Sequence, residues 1–363
     1  MNTQRILAVD ILRGLTIIFM IIVNDPGSWS HVYGPLLHAD WNGLTPTDYI
    51  FPTFLFIMGT SIVLSLGKRA HETDRSTLVK KILVRTLKIY AVGLFLWLWP
   101  EFNFERIRWV GVLPRIAFVY FFTALLFVFT SRKTQFYTAI GLLVGYLIFM
   151  CFVPVPGIGI PDLSVPEKNW AHYIDHLLLP GVLWQKTWDP EGILSTLPAI
   201  ATGILGMFAG YIIQSKETLA EKLVKLFVMA AVLLFLGDLT QYIFPLNKNL
   251  WSTSFTLLLG GISTLGLGVF IYICDLKQWG SRFTFAREFG VNSIFSYSLS
   301  GLLTVLFYSD RIWGIKLNGW FMETLTHIGV APKLASLLYA LLYVLIIWLP
   351  VHYLFKKKIY IKL

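Results

Sequence analysis

The stretch LLHADWNGLTPTDYIFPTFLFIMG, residues 36–59, decides the class of fold. Residues 36–48 hold His38, Asp40, Asn42 and Asp48, and an apolar run over residues 49–66 follows them. An α-helix needs about 20 mostly apolar residues to cross a hydrocarbon core of roughly 30 Å. The stretch therefore predicts a membrane-spanning helix with a histidine, an amide and carboxylates at its mouth.

The composition and the apolar runs extend this prediction to the whole chain. Of the 363 residues, 56% are hydrophobic and 14% are charged, and the mean hydropathy is +0.67, whereas about a quarter of the residues of a soluble domain are charged. The runs are continuous, unlike the alternating segments of about ten residues in a transmembrane barrel. The sequence thus predicts an all-α, polytopic integral membrane protein with about ten transmembrane helices, in a single domain over residues 1–363. The runs lie near residues 6–24, 49–66, 82–99, 110–130, 135–153, 193–214, 224–241, 251–274, 288–307 and 334–355.

The distribution of charge predicts the orientation in the membrane. The formal net charge is +10, and with a cytoplasmic N-terminus the basic residues Arg5, Lys68 and Arg69 and the tail KKKIYIKL all lie inside. The predicted outer loop 154–192 holds five acidic residues against two lysines. Because short cytoplasmic loops are enriched in Lys and Arg, we expect both termini in the cytoplasm, an N-in/C-in topology. The positive charge therefore orients the protein, and no nucleic-acid partner is expected.

A polar residue within a membrane span destabilises the protein, so the polar residues that the spans retain are the first candidates for a functional role. Four polar clusters fall on the predicted outer side: Asn24 with Asp25, the segment 38–48, WDPEG (188–192) and NKNLW (247–251). Others lie towards the inner side: Asp10, Arg13, Arg85, Lys88 and Asn292. Polar regions on opposite sides suggest two ligands, or one ligand that moves through the protein.

Each cluster also has a structural interpretation, which the sequence leaves open. Asp10 and Arg13 are spaced to pair along one helix face, and Lys88 is placed to extend its amine to the interface. Acidic and amide groups before an apolar run cap helices, which would account for WDPEG and Asn247. Tryptophans and tyrosines at helix ends are typical of the aromatic belt of a membrane protein.

A metal site is a further interpretation of the first cluster. His31, His38 and Asp40 are of types that zinc accepts as ligands. Neither an HxxxH nor an HExxH spacing joins them, and such spacings bring two histidines to one helix face. We therefore expect no metal.

One long motif resembles a known family. Residues 38–59 follow the pattern HxxWNGLTxxDxxFPxFxFIMG, which resembles the heparan-α-glucosaminide N-acetyltransferase family of transmembrane acyltransferases. Further matching segments follow in the expected order: RILAVDILRG (5–14), IIVN (21–24), GVLPRIAFVYF (111–121), YIDHLLL (173–179), WDPEGILST (188–196), NKNLWSTSF (247–255) and GVNSI (290–294). Lysosomal members carry an N-terminal lumenal region, whereas this chain begins at RILAVDILRG. We therefore expect a bacterial-type member without the lumenal domain, in a bacterial inner membrane.

The resemblance implies a reaction and three catalytic residues. An acetyl group would pass from cytoplasmic acetyl-CoA, as co-substrate, to an amine of an amino sugar or glycan outside the cytoplasm. By motif, the family's catalytic histidine falls on His38, its catalytic asparagine on Asn24, and a further aspartate on Asp48. A homodimer is implied by the resemblance alone.

These residue types suit the aminolysis of a thioester. The attacking amine must lose a proton, and an ordinary imidazole, with a pKa of about 6.5, accepts one near neutral pH. The amide of Asn24 would donate to the carbonyl oxygen, and Asp48 would orient His38. His38 acts either as a base or as the carrier of the acetyl group, and the sequence leaves both routes open.

The remaining polar residues are expected to bind the two substrates. Those expected to hold the phosphates and other polar groups of acetyl-CoA are Arg13, Arg85, Lys88 and Asn292. Those expected to bind the acceptor are Trp41, Asp189, Glu191, Asn247, Lys248 and Asn249. The rival interpretations are a secondary transporter of a small polar solute, although no internal repeat is evident, and a scaffold without turnover. Consumption of acetyl-CoA separates the enzyme from both.

Overall fold

The computed structural model of the chain describes residues 6–361, except the side chains of residues 68–72. Arg5 and the side chains of Lys68 and Arg69, which the topology prediction uses, therefore lie outside the described part. Within it the chain is helical and forms no β-strand. The α-helices are α1 (Leu7–Asn24), α2 (Ile50–Glu72), α3 (Arg75–Leu98), α4 (Val112–Phe129), α5 (Arg132–Phe152), α6 (Trp170–Leu178), α7 (Thr196–Gln214), α8 (Leu219–Thr240), α9 (Thr253–Phe270), α10 (Thr284–Val291), α11 (Ser293–Tyr308), α12 (Leu317–His327) and α13 (Pro332–Lys356).

The all-helical membrane fold is confirmed, because each predicted run falls on helical residues. Among the described residues, eight helices are long and apolar enough to cross a membrane, and a bent pair would make a ninth. They are α1, α2, α4, α5, α7, α8, α9 and α13, and the pair is α10 with α11. The third predicted run lies on α3, which carries Lys81, Arg85 and Lys88 in its interior and is too charged to be counted with them.

The ninth predicted run, near 288–307, is not one straight helix. It divides at Asn292 into α10 and α11, which are inclined by 69°. The side-chain amide of Asn292 donates to the carbonyl of Ile359 (3.2 Å), and its oxygen accepts from the backbone N–H of Ile361 (2.9 Å). The C-terminal segment thus binds at the bend, a contact that no local pattern indicates.

The chain divides into two compact units, each of which is described by itself. The first comprises Met1–His38, Thr45–Phe51 and Phe270–Leu363, and the second comprises Ala39–Leu44 and Pro52–Val269. The prediction of a single domain over residues 1–363 stays a prediction.

In the first unit, α1 packs against α10 at backbone distance. A Cβ atom added to Gly14 would lie 1.6 Å from the carbonyl oxygen of Ala286, and one added to Gly290 would lie 1.8 Å from that of Asp10. Glycine is therefore required where the two helices cross.

Asp275 caps the start of α1, because its carboxylate accepts from the backbone N–H groups of Leu7 (2.9 Å) and Ala8 (3.1 Å).

In the second unit, α2 and α7 approach each other through glycines in the same way. A Cβ atom on Gly59 would lie 1.9 Å from the carbonyl oxygen of Gly203, and one on Gly206 would lie 1.9 Å from that of Phe56. Small residues allow close approach of helices in membranes, where van der Waals packing drives association. Gly59, Gly203 and Gly206 therefore allow α2 and α7 to pack closely.

We expect Gly290→Ala to destabilise the protein. The added methyl group meets backbone that cannot move without displacing α1, and overpacking of this kind costs about 1–3 kcal/mol or more. The thermal unfolding midpoint in detergent should fall by several degrees. The control is Gly141→Ala in α5, where an added Cβ atom meets nothing within 4 Å and alanine favours the helix. Equal midpoints for the two variants would contradict the close packing of α1 on α10.

Candidate active site

The polar segment before α2 is organised by Asp48. The backbone N–H of Thr45 donates to Oδ2 of Asp48 (2.9 Å), and the Thr45 hydroxyl lies 3.2 Å from the same oxygen. This is the capping arrangement of a threonine with an acidic residue three positions later. It opens the short 3-10 turn Pro46–Tyr49, from which α2 continues. The local sequence therefore fixes one oxygen of Asp48.

The other oxygen of Asp48 contacts His38. The distance from Nδ1 of His38 to Oδ1 of Asp48 is 2.7 Å, and the exposed fractions of the two side chains are 47% and 1%. A neutral imidazole that donates from Nδ1 to a carboxylate has its lone pair on Nε2. The pair therefore has the geometry of a histidine oriented by a buried carboxylate. The roles expected for both residues stay predictions.

Asn24 lies at the C-terminal end of α1, where its side chain is exposed. The loop that follows is tied to α12 and α13 in the same unit: Gly27 N–H donates to the Ser336 carbonyl (3.2 Å), and the Asn318 amide donates to the Gly27 carbonyl (3.0 Å). Burial raises the pKa of neighbouring Asp25 to about 7. Asn24 thus ends a helix whose following loop is anchored.

In the second unit, the WDPEG segment surrounds Arg108. Arg108 donates from Nε and Nη2 to the two oxygens of Asp189 (2.7 and 2.6 Å) and from Nη2 to Glu191 (2.6 Å). Burial alone would lower the pKa of Arg108, but the hydrogen bonds and charges of Asp189 and Glu191 outweigh burial and raise it. The ion group is charged and almost fully buried, so the two carboxylates expected to bind the acceptor have a structural partner.

A second buried arginine lies on α4. Arg115 is 1% exposed, and its Nη2 donates to the carbonyl of Gly192 (3.0 Å) and to the hydroxyl of Ser195. Its guanidinium carbon lies 5.1 Å from the ring centroid of Trp251. Sequence reasoning missed Arg115, although an arginine within an apolar run was a signal, because such a residue is retained only with partners.

Asp175 on α6 completes this region. Its Oδ1 accepts from the backbone N–H of Ile193 (2.8 Å), and a Cβ atom on Gly192 would lie 1.8 Å from its Oδ2. Burial raises the pKa of Asp175 to about 7, against the lowering effect of the Ile193 hydrogen bond. Sequence reasoning did not identify this carboxyl, which lies in a short helix that the apolar runs do not indicate.

Within the second unit, Trp41 and Asn42 of the second polar cluster contact the third cluster (188–192) and the fourth cluster (247–251). Asn247 donates from its amide to the Asn42 side-chain oxygen (2.9 Å) and accepts from the backbone N–H of Leu250 (2.8 Å). Trp41 donates to the Leu163 carbonyl (2.8 Å), and its ring centroid lies 4.9 Å from that of Trp188. Asn247 thus orders the turn before α9. The neighbouring residues Lys248 and Asn249 are half-buried.

The residues expected to bind acetyl-CoA fall in both units. In the first unit, Arg13 donates to the Gly290 carbonyl (3.1 Å) and lies 3.4 Å from Asp10, and Asn292 binds the C-terminal segment. In the second unit, Arg85 lies over the ring of Tyr120 (4.7 Å), and its side chain is exposed, as is that of Lys88. Their ligand roles stay predictions.

One HxxxH pair does occur, at His172 and His176. The two rings stack at 5.9 Å, and Nδ1 of His172 lies 2.6 Å from the carbonyl oxygen of Thr187. Within residues 6–361, no group of three or more His, Cys, Asp and Glu side chains is placed to hold a metal ion. The two histidines thus contact each other on α6, and His172 also contacts the segment that follows this helix.

We expect Arg108→Met to cause a large loss of stability. It would leave the Asp189 and Glu191 carboxylates buried without their cation, and breaking a buried ion pair costs about 3–5 kcal/mol. Thermal unfolding in detergent measures the loss, with Arg106→Met as the control, because the side chain of Arg106 is exposed. A midpoint for Arg108→Met equal to that of the control would contradict a structural role of the ion group.

Comparison with known proteins identifies the family. The family described as "Heparan-alpha-glucosaminide N-acetyltransferase, catalytic" matches residues 5–247. The heparan-alpha-glucosaminide N-acetyltransferase of Mus musculus is 30% identical, over 82% of this chain and 53% of the relative, and that of Homo sapiens is 29% identical, over 93% and 59%. The chain therefore spans a little more than half the length of these curated relatives. The matches confirm the resemblance carried by the motifs: this chain is an integral membrane protein that belongs to the heparan-alpha-glucosaminide N-acetyltransferase catalytic family.

Proposed function

We propose that this protein is an acetyl-CoA-dependent N-acetyltransferase that acetylates an amine of an amino sugar or glycan outside the cytoplasm. The observation that carries the proposal is the contact of 2.7 Å between Nδ1 of His38 and Oδ1 of buried Asp48. Family membership supports the reaction class, since the relatives that match are named as N-acetyltransferases.

His38 acts on the proton of the acceptor amine. The carboxylate of Asp48 holds the imidazole with its proton on Nδ1, so that Nε2 accepts a proton from the amine as its nitrogen attacks the thioester carbonyl. The carbon–sulfur bond then breaks, and the proton passes from Nε2 to the departing thiolate of CoA. A carboxylate that stays buried and oriented is suited to stabilising the transient imidazolium.

Asn24 stabilises the charge that develops on the carbonyl oxygen. Its side-chain amide is an N–H donor at the end of α1, and donors aimed at a developing oxyanion contribute strongly to acyl transfer. Anchoring of the following loop to α12 and α13 limits the motion of this donor. In the alternative route, Nε2 of His38 attacks the thioester carbonyl, and the carbon–sulfur bond breaks to release the thiolate of CoA. The amine then takes the acetyl group from Nε2, and the proton that the amine loses passes to the thiolate or to the freed imidazole.

The donor would approach from the cytoplasm and the acceptor from the other side. In the predicted N-in/C-in topology, Asn24 and Asp48 lie on the outer side. Arg13, Arg85 and Lys88 lie towards the inner side. Cations at the inner end suit the phosphates of acetyl-CoA, whose charge keeps the nucleotide out of the apolar interior. We place the protein in a bacterial cell membrane. The homodimer belongs to the same proposal and rests on the family.

We expect His38→Ala to lower turnover about 10²–10⁴-fold, the usual contribution of a positioned general base. The assay is the release of free CoA by the purified protein with acetyl-CoA and glucosamine. His31→Ala is the matched control, because His31 is an exposed histidine in the same loop. Equal loss in both variants would remove His38 from the mechanism. A wild-type protein that binds no acetyl-CoA would favour the transporter interpretation instead.

We expect Asn24→Asp to lower turnover about 10²–10³-fold, because a carboxylate replaces the N–H donor and repels a developing oxyanion. The affinity for acetyl-CoA, measured by calorimetry, should change far less, since the amide acts in the transition state. Unchanged turnover at wild-type folded yield would exclude Asn24 as the oxyanion donor.

A further inference from the structure

A groove of about 910 Å³ lies in the second unit, in segments that the proposed mechanism does not use. It is formed by the end of α3 with the loop that follows, and by the segment after α6. Its lining includes Trp97, Trp99, Trp184, Glu101, Arg106 and Lys186. Its volume is at the upper end of the range for small-molecule sites, about 300–1,000 Å³.

The tryptophans of this groove are held by protein contacts. The indole N–H of Trp97 donates to the Arg106 carbonyl (2.8 Å), and the ring centroids of Trp97 and Trp184 lie 6.1 Å apart. The guanidinium carbon of Arg108 lies 5.6 Å from the ring centroid of Trp97 and 5.1 Å from that of Trp184. The ion group of Arg108 with Asp189 and Glu191 therefore also orients two rings of the groove.

The rings keep exposed surface although they are fixed. The exposed fractions are 36% for Trp97, 36% for Trp99 and 55% for Trp184. Charged and polar groups surround them, with Glu101 as acid and Arg106 and Lys186 as bases. Fixed aromatic surface beside hydrogen-bonding groups suits a ligand with flat apolar faces and a polar edge.

We propose that this groove binds the saccharide chain of the acceptor. A pyranose ring has an apolar C–H face, which packs on an indole, and a hydroxyl edge, which exchanges hydrogen bonds with carboxylate, guanidinium and ammonium groups. The volume and the three tryptophans accommodate more than one sugar unit. The inference rests on the proposed function for the identity of the acceptor, and it adds the surface that binds the sugar units beyond the reacting one.

The position of the groove in the sequence agrees with this assignment. Its two segments lie between α3 and α4 and between α6 and α7, loops that the proposed topology puts outside the cytoplasm. The acceptor amine is proposed to arrive from that same side. Tryptophans of an interfacial belt contact lipid headgroups and need no shared cavity, whereas these three line one groove together with charged side chains.

The first test measures binding without transfer. The probe is a tetrasaccharide of N-acetylglucosamine, which has no free amine, titrated calorimetrically into the purified full chain. We expect Trp184→Ala to weaken its binding about five- to tenfold, the effect of one lost aromatic contact. The matched control is Trp320→Ala in α12, because Trp320 is 56% exposed and Trp184 is 55% exposed. The control should bind as the wild type does.

The second test measures transfer with chains of different length. The substrates are glucosamine and a tetrasaccharide of N-acetylglucosamine that ends in one unacetylated glucosamine. Trp184→Ala and Arg106→Gln should raise the KM for the tetrasaccharide several-fold more than the KM for glucosamine. Arg106→Gln changes an exposed side chain and leaves the stack on Arg108 intact, so that it tests the groove independently of folding.

The outcomes separate the groove from the reaction. Tetrasaccharide binding that depends on Trp184 supports the groove, whether or not an acetyl group is transferred. If the protein binds the tetrasaccharide in this way but transfers no acetyl group, the proposed function alone is refuted. Transfer with the same ratio of KM values in wild type, Trp184→Ala and Arg106→Gln would overturn the groove and leave the transferase. Equal binding by wild type, Trp184→Ala and Trp320→Ala would also overturn it and assign the tryptophans to the membrane interface.

Discussion

The constraint on which this structure depends is that the interior of a bilayer offers no hydrogen-bond partner to a polar group. Each charge among the apolar helices must therefore find its partner within the protein. In the loop before α4, buried Arg108 pairs with Asp189 and Glu191. Within α4, Arg115 donates from Nη2 to Gly192 and Ser195, and its guanidinium lies over the ring of Trp251. Both arginines bind the segment before α7, so the contacts of these two buried side chains also hold the backbone of a loop.

The same constraint explains the order of the polar segment before α2. Asp48 is buried at the mouth of a helix, and its two oxygens are engaged by the backbone of Thr45 and by His38. The entropic cost of orienting the imidazole arises when the chain folds, so no further cost of this kind arises when a substrate binds. Preorganisation of this kind is what a general base in acyl transfer requires. Buried Asp48 needs a hydrogen-bond donor for its second oxygen, and Nδ1 of half-exposed His38 lies 2.7 Å from that oxygen.

The helices were largely predictable, because the length of an apolar run is a local property. The structure departs from the predicted helices where a feature depends on distant contacts or where a helix is short. The bend at Asn292 depends on Ile359 and Ile361, which lie far along the chain, and α6 and α12 are too short to register as membrane spans. The capping contact between Thr45 and Asp48 was encoded locally, since the two residues are three positions apart. The contact of Asp48 with His38, ten positions away, required the intervening loop to close.

By itself, the sequence determined the class of protein and the family, because hydropathy and contiguous motifs survive without knowledge of the fold. It also singled out His38, Asn24 and Asp48 as candidate catalytic residues, and their roles stay predictions. Only the tertiary structure decided which groups neutralise Asp189 and Glu191 and which rings share the groove. Arg108 precedes these carboxylates by 81 and 83 positions, and Trp97 and Trp184 come from different loops. The partner of a buried charge is chosen by how distant helices pack, and no local pattern of residues records that choice, because the desolvation that demands a partner exists only in the folded chain.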